Sequence, residues 1–393
     1  MKSLFRSSNL RTLSLLFAVI LTLPLSWGAF TGFYTWLSPF MMLNSVLTIK
    51  SFVWLNIIAF PVLIFVLFRK RWFCRNLCPA GWCFDRISGL NKRRTYIYDR
   101  VPDIGKWLAI LSLSSGIVGL PLFLVFDPMA IFNGFFTVFS GKMHIVAILS
   151  FSGFILLLAV HLFLPGIWCA KLCPLGGLQL VTDDLKTQVN LLFRKQKPEA
   201  QFGSGRRYFL MTGLGLIAGV AIPKMLKPPP DNVIRPPATV EPILLNTICC
   251  RCGSCIKACP TGIIMPSTDY SDIPGWMTPA VSFRSGYCLE TCNLCSRVCP
   301  TGAITLFSVG AKKQLFMGTA VIHLEDCLLF NNKECVKCKE SCKYEALEFV
   351  AKENILNMIP VVDKNKCVGC GACEVICPSD CIEIRAITRR TTQ

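Results

Sequence analysis

Apolar residues come in blocks along the first half of the chain, with polar residues gathered between them. Residues 12–49 contain no charge, and apolar stretches follow at 51–68, 107–126 and 143–168. Each can supply a helix of the roughly 20 residues that cross a bilayer, with its backbone polar groups satisfied internally. Pro39, Asn44, Ser45, Tyr34 and Trp36 divide the first run into one span and a segment lying at the interface. The pattern therefore predicts four spans. A fifth apolar stretch, MTGLGLIAGVAI, follows Ser204-Gly-Arg-Arg-Tyr-Phe-Leu210 and is short and glycine-rich.

Charge orients these segments. Residues 1–223 hold 22 of the 41 Lys/Arg but only 7 of the 23 Asp/Glu. Positive-inside bias puts Lys2, Arg6, Arg11, the loop from Arg69 to Lys106 and the segment from Lys171 to Arg207 in the cytoplasm, leaving Lys50 and Lys142 outside. The excess beside apolar segments reads as membrane orientation, not as a nucleic-acid footprint. Composition agrees, since 53% of the residues are hydrophobic, 16% are charged and the mean hydropathy is +0.52. The twin arginines Arg206 and Arg207 ahead of a mild apolar segment read as a twin-arginine export signal, which passes folded cargo. The plain alternative is a fifth span with Gly215 and Gly219 as a GxxxG packing pair. No A-x-A site precedes Pro223, so the signal is expected to remain as an anchor. The proline-rich segment PKMLKPPPDNVIRPPATVEP then reads as an extended spacer.

The second half changes the chemistry. Of 23 cysteines, most lie between Cys249 and Cys381. Four runs stand out: Cys249-x2-Cys252-x2-Cys255-x3-Cys259-Pro, Cys288-x3-Cys292-x2-Cys295-x3-Cys299-Pro, Cys327-x7-Cys335-x2-Cys338-x3-Cys342 and Cys367-x2-Cys370-x2-Cys373-x3-Cys377-Pro. Two-residue gaps wrap three thiolates around one iron–sulfur cubane, while the fourth Cys reaches the other cluster of a two-cluster ferredoxin fold. Zinc sites take Cys pairs with a long spacer, and disulfides between such near neighbours are strained. The third run departs from the pattern, with Lys343 in place of Pro. Like spacing pairs run one with four and run two with three. On that pairing Cys377 completes Cys249/Cys252/Cys255 and Cys259 completes Cys367/Cys370/Cys373. Cys342 completes Cys288/Cys292/Cys295, and Cys299 completes Cys327/Cys335/Cys338.

Two further motifs, Cys74-Arg-Asn-Leu-Cys78-Pro-Ala-Gly and Cys169-Ala-Lys-Leu-Cys173-Pro-Leu-Gly, each follow an inward-running span. Together they supply four thiolates at the cytoplasmic face, enough for a fifth cluster or a dithiol pair. Cys83, Cys250 and Cys381 are left as non-ligand thiols. Haem is disfavoured, since there is no C-x-x-C-H and His144 and His161 fall at opposite ends of one helix. Asp127, Lys142 and His144 sit near the outer face, where a quinol could lose protons, although Asp127-Pro128 is as readily an ordinary turn.

These features resemble known families. Residues 1–180, with four spans and two CxxxCP motifs, resemble the NapH (MauN)-type membrane subunit. Residues 204–393, with RRYFL, IRPPATVEP and four cysteine runs, resemble the NapG/MauM-type exported ferredoxin. CxxxCP pairs also occur in cytochrome oxidase assembly ferredoxins and nitrous-oxide-reductase regulators. The cytoplasmic ferredoxin runs usual after the last NapH span are absent here. The resemblance implies a fusion: an α-helical membrane domain of four spans plus a signal-anchor helix, followed by an α+β bacterial-ferredoxin-like domain with four [4Fe–4S] clusters. The expected divisions are 1–180 membrane domain, 181–207 cytoplasmic linker, 208–223 anchor, 224–246 linker and 247–393 polyferredoxin. It implies an inner-membrane protein with its C-terminal domain in the periplasm, oxidising quinol from the quinone pool and passing electrons to a periplasmic redox partner. The alternative is a redox assembly or maintenance factor for a metallo-oxidoreductase. No residue is singled out as catalytic, and no nucleotide, flavin or molybdopterin motif is visible.

Overall fold

Helix boundaries in the first half fall where proline, glycine and capping residues interrupt the apolar runs. The computed structural model describes residues 7–23, 28–91, 101–140, 145–193, 202–225, 232–269, 272–331, 333–352 and 355–387. Residues divide by contact into two units, Met1–Pro228 with Glu241–Ser254 and Val298–Ala303, and Pro229–Val240 with Cys255–Arg297 and Ile304–Gln393.

The first unit is helical: α1 (Ser7–Thr22), α2 (Pro39–Ile49), α3 (Ala59–Phe68), α4 (Trp72–Asn76), α5 (Pro79–Ser88), α6 (Ile104–Ile117), α7 (Pro128–Phe135), α8 (Ile145–Phe163), α9 (Pro174–Phe193) and α10 (Phe202–Met225). Ser38 caps α2 by accepting from the Met41 amide at 3.4 Å, with Pro39 in the first helical turn. The uncharged run 12–49 is thereby split into α1, a single turn at Phe33–Trp36 and α2. The third run ends at Ile117, just before Gly119 at φ 92° and Pro121. Among the described residues, only Gly205–Met225 is both long and apolar enough to cross a membrane. The 16 residues of α1 and the 15 of Trp54–Phe68 fall short of the expected spans, because a helix rises only about 1.5 Å per residue. Of the segment read as a linker, residues 181–193 continue α9.

Helix α10 packs against α6 through the glycine pair. A Cβ at Gly215 would collide with the Ser114 hydroxyl and the Leu111 carbonyl, and one at Gly219 with Val118 and Ser115. The GxxxG pair is thus a close-packing surface in this unit.

The second unit is built from three antiparallel pairs: β1 (Ile264–Pro266) with β2 (Pro279–Val281), β3 (Gly318–Ile322) with β6 (Ile382–Ala386), and β4 (Leu347–Lys352) with β5 (Ile355–Val362). Strand β6 alternates buried Ile382 and Ile384 with exposed Glu383 and Arg385, the period-two pattern of a half-covered strand.

Candidate metal centres

The repeated Cys-Pro-x-Gly tail is a helix start in which the cysteine sulfur is the cap. Cys78 Sγ accepts from the Gly81 amide at 3.2 Å, and Cys173 Sγ accepts from the Gly176 amide at 3.3 Å. Proline opens each helix without needing an amide partner. A side chain at Gly81 would press on Cys78 Sγ, and one at Gly176 would meet the Cys169 carbonyl. A sulfur at a helix N-terminus is a favoured place for thiolate charge. Cys74, Cys78, Cys169 and Cys173 come together within electrostatic range of one another. Arg71 joins the two motifs by donating to the Ala170 carbonyl at 3.0 Å. Gln179, fully buried on α9, donates to Cys74 Sγ at 3.0 Å and accepts from the Phe73 amide at 3.2 Å. Burial pushes all four thiols up, with the Gln179 hydrogen bond and then Arg71 and Arg11 drawing Cys74 back. Four buried sulfurs become thiolates readily only around a positive inorganic core.

In the same unit Cys249, Cys252 and Cys299 lie within electrostatic range of one another. Burial pushes Cys249 up to about 11 against the pull of Arg251. The helices supply their bed. Asn133 donates to the Cys252 carbonyl at 2.8 Å and to Ser254 Oγ at 2.9 Å, Trp36 Nε1 to the Val298 carbonyl at 3.2 Å, and Ser45 to the Thr301 carbonyl at 3.0 Å. Asp127 is fully buried, receiving the Ser38 hydroxyl at 2.6 Å and the Met129 amide at 2.8 Å. Its turn reading therefore holds, since it caps α7 with Pro128 next. Burial pushes its carboxyl up to about 6, and its charge acts on both Cys173 and Cys252. Buried His161 keeps Nδ1 on the Leu157 carbonyl at 2.7 Å and stacks on Phe84 with centroids 4.2 Å apart. Lys142 and His144 lie outside the described residues.

Three quartets form in the second unit. Cys259, Cys288, Cys292 and Cys295 line one cavity; Cys342, Cys367, Cys370 and Cys373 line another; Cys327, Cys335, Cys338 and Cys377, with Cys381 beside them, line a third. This corrects the nested pairing. Cys259 belongs with run two and Cys299 with run one, while Cys342 belongs with run four and Cys377 with run three. The reason is local: β1–β2 joins the end of run one to the start of run two, and β4–β5 does the same for runs three and four. Cys255, on the short helix Ser254–Ala258, is the remaining member of run one. Among the described residues, no three His, Cys, Asp or Glu side chains close tightly enough to hold a single metal ion.

The Cys288 amide donates to the Cys370 carbonyl at 2.9 Å, bringing the run-two and run-four quartets side by side. Buried Lys312 donates to the Leu289 carbonyl and, at 2.8 Å, to the Cys292 carbonyl. Burial pushes Cys288 up and the Lys312 charge pulls it back. Two of the spare thiols sit beside sulfurs of the runs: Cys381 is 3.5 Å from Cys377, and Cys250 is hydrogen-bonded to Cys252. Neither Gln179 nor Lys312 was marked by spacing, since nothing in the local sequence sets a buried Gln or Lys apart from one on a solvated helix.

Comparison with known proteins places 4Fe-4S binding domains at residues 51–96 and 146–191, and a second type of 4Fe-4S binding domain at 360–383. The methylamine utilization ferredoxin-type protein MauM of Methylophilus methylotrophus is 34% identical over 164 residues, covering 40% of this chain and 72% of the relative. The ferredoxin-type protein NapG of Escherichia coli K12 is 31% identical over 201 residues, covering 47% and 84%. NapF of the same organism is 31% identical over 156 residues, covering 39% and 84%. No solved structure matches.

Proposed function

Because the chain belongs to the ferredoxin-type protein family that includes MauM and NapG, we propose that it is a membrane-anchored electron relay carrying electrons from quinol to an acceptor outside the cytoplasm. The observation that carries this reading is that the CxxxCP quartet and Cys249, Cys252 and Cys299 lie in the same helical unit, where Asn133 of α7 donates to the Cys252 carbonyl at 2.8 Å. Two candidate centres far apart in sequence thus share one helical unit.

In this reading sixteen cysteines hold four clusters. Cys249, Cys252 and Cys299 belong to the first set, to which run spacing alone assigns Cys255, and the three quartets of the second unit make up the rest. Cys74, Cys78, Cys169 and Cys173 hold a fifth. A bound [4Fe–4S] cluster supplies one-electron storage at a potential set by its surroundings. The chain's own groups do the rest. Gln179 and Lys312 fix the ligand loops, Arg71 ties the two CxxxCP segments together, and Asn133 seats the run-one loop on α7. The Cys288–Cys370 backbone contact keeps the middle of the relay short. Membrane attachment is supported by apolar side chains turned outward on several helices: Leu16 and Phe17 on α1, Phe65 and Phe68 on α3, Leu156 and Phe163 on α8, and Phe209 and Ile217 on α10. Arg206 and Arg207, exposed near the start of α10, fit a twin-arginine signal retained as anchor.

Quinol as donor rests on the NapH-type resemblance of the first 180 residues. The test is anaerobic addition of quinol to the purified full chain, with iron and sulfide counted beforehand. About 20 irons per chain and bleaching of cluster absorbance support the relay. No response to quinol, with reduction by a cytoplasmic dithiol or ferredoxin, overturns it in favour of an assembly factor.

A further inference from the structure

Beside the CxxxCP quartet the first unit carries an open cavity of about 910 Å³ lined by Arg11, Arg69, Lys70, Arg75 and Arg86, with Trp72, Trp82, Asn76 and Asp85. Five cations face one acid there. Arg11 pairs with Asp85 at 2.8 Å, and Lys70 with Asp183 at 2.9 Å. Arg69, Arg75 and Arg86 make no ion pair among the described residues. Ring contacts and a hydrogen bond brace the walls. Trp72 stacks on Phe65 with centroids 4.7 Å apart, Arg86 lies 5.0 Å over the Trp82 ring, and Trp82 Nε1 donates to Thr12 on α1 at 3.2 Å. Unpaired guanidinium groups held close together repel one another unless an anion sits among them, and guanidinium forks match phosphate oxygens.

We propose that this cavity binds the phosphodiester headgroup of an anionic phospholipid. The observation that selects a lipid over a free anion is what borders the cations. Arg69 follows directly on α3, whose Phe65 and Phe68 are 50% and 72% exposed, and Arg11 lies on α1 ahead of Leu13 and Phe17, each 50% exposed. Charged groups continuous with an outward apolar flank suit a ligand with a phosphate head and acyl tails. The site also adjoins the redox centre, since the charges of Arg11 and Arg71 act on Cys74. A seated phosphate would offset that positive field. The proposal rests on the membrane reading above.

The test uses the full chain in phosphatidylcholine vesicles with and without phosphatidylglycerol, followed by native mass spectrometry of retained lipid. Flotation with both kinds of vesicle and selective retention of phosphatidylglycerol is the expected result. The variant Arg69→Gln/Arg75→Gln/Arg86→Gln should bind it roughly 100-fold more weakly, at about fivefold per cation near a membrane surface. Lys50→Gln, an exposed cation elsewhere, should leave retention unchanged. Flotation without preference for phosphatidylglycerol overturns the headgroup site alone, whereas failure to float with either vesicle overturns the membrane reading and the site together. Equal binding of glycerol phosphate in detergent, with no lipid preference, makes this a soluble-anion pocket and also overturns the proposal. If the triple variant misfolds, Arg69→Gln alone should still weaken retention about fivefold.

Discussion

Replacing Lys312 with Met should lower the potential of one centre and loosen its loop. The ammonium is 2% exposed and donates to two carbonyls of the Cys288–Cys292 loop, one at 2.8 Å. Two charge-assisted hydrogen bonds are worth about 1.5–3 kcal/mol each, offset by the relief of removing a buried charge, which leaves a net loss of about 2 kcal/mol. At an effective dielectric of about 20, a unit charge about 5–10 Å from another contributes about 2–3 kcal/mol. That corresponds to about 100 mV for a one-electron couple, downward, since the cation favours the more negative reduced state. Redox titration of the full chain followed by electron paramagnetic resonance reads the shift. Lys313→Met, which removes an exposed neighbouring charge, is the control. An unchanged midpoint in Lys312→Met, or an equal drop in Lys313→Met, would refute the electrostatic role.

The pairing of runs predicts that Cys259→Ala and Cys288→Ala together cost no more than about four irons per chain, because both strip one site; a loss of about eight, by iron and sulfide analysis, returns the nested order. Gly215→Val should destabilise the docking of α10 on α6 by about 1–3 kcal/mol, read as a lower melting temperature in detergent, whereas Gly213→Val, with open space around it, should not. Asp127 holds its proton more tightly folded than unfolded, so its contribution to stability falls as pH rises from about 4 through its folded value of about 6. Asp127→Asn should flatten the decline in melting temperature between about pH 4 and 6, and an unaltered slope would show that the carboxyl is not its source. Lysine at both Arg206 and Arg207 should block export of the C-terminal domain, measured with a periplasmic reporter after Gln393; undiminished reporter activity removes the signal reading.

How much of this was legible beforehand differs between the two halves. Chain-local spacing marked the cysteine runs, since thiols separated by two or three residues share one loop however the rest folds. It also marked the CxxxCP motifs, whose Cys-Pro-x-Gly tails are a local capping arrangement. The chain alone, however, could not assign the fourth cysteine of each run. That residue leaves its own loop, and its destination depends on which strands pair; hairpins β1–β2 and β4–β5 favour consecutive runs. Apolar runs likewise announced helices but not their lengths, because Ser38-Pro39 and Gly119 end them for reasons of backbone geometry that hydropathy does not register. Gln179, Lys312 and Asp127 gain their meaning only from what folding brings near. A buried amide or ammonium acts through the carbonyls and sulfurs around it, and those come from residues 20 to more than 100 positions away.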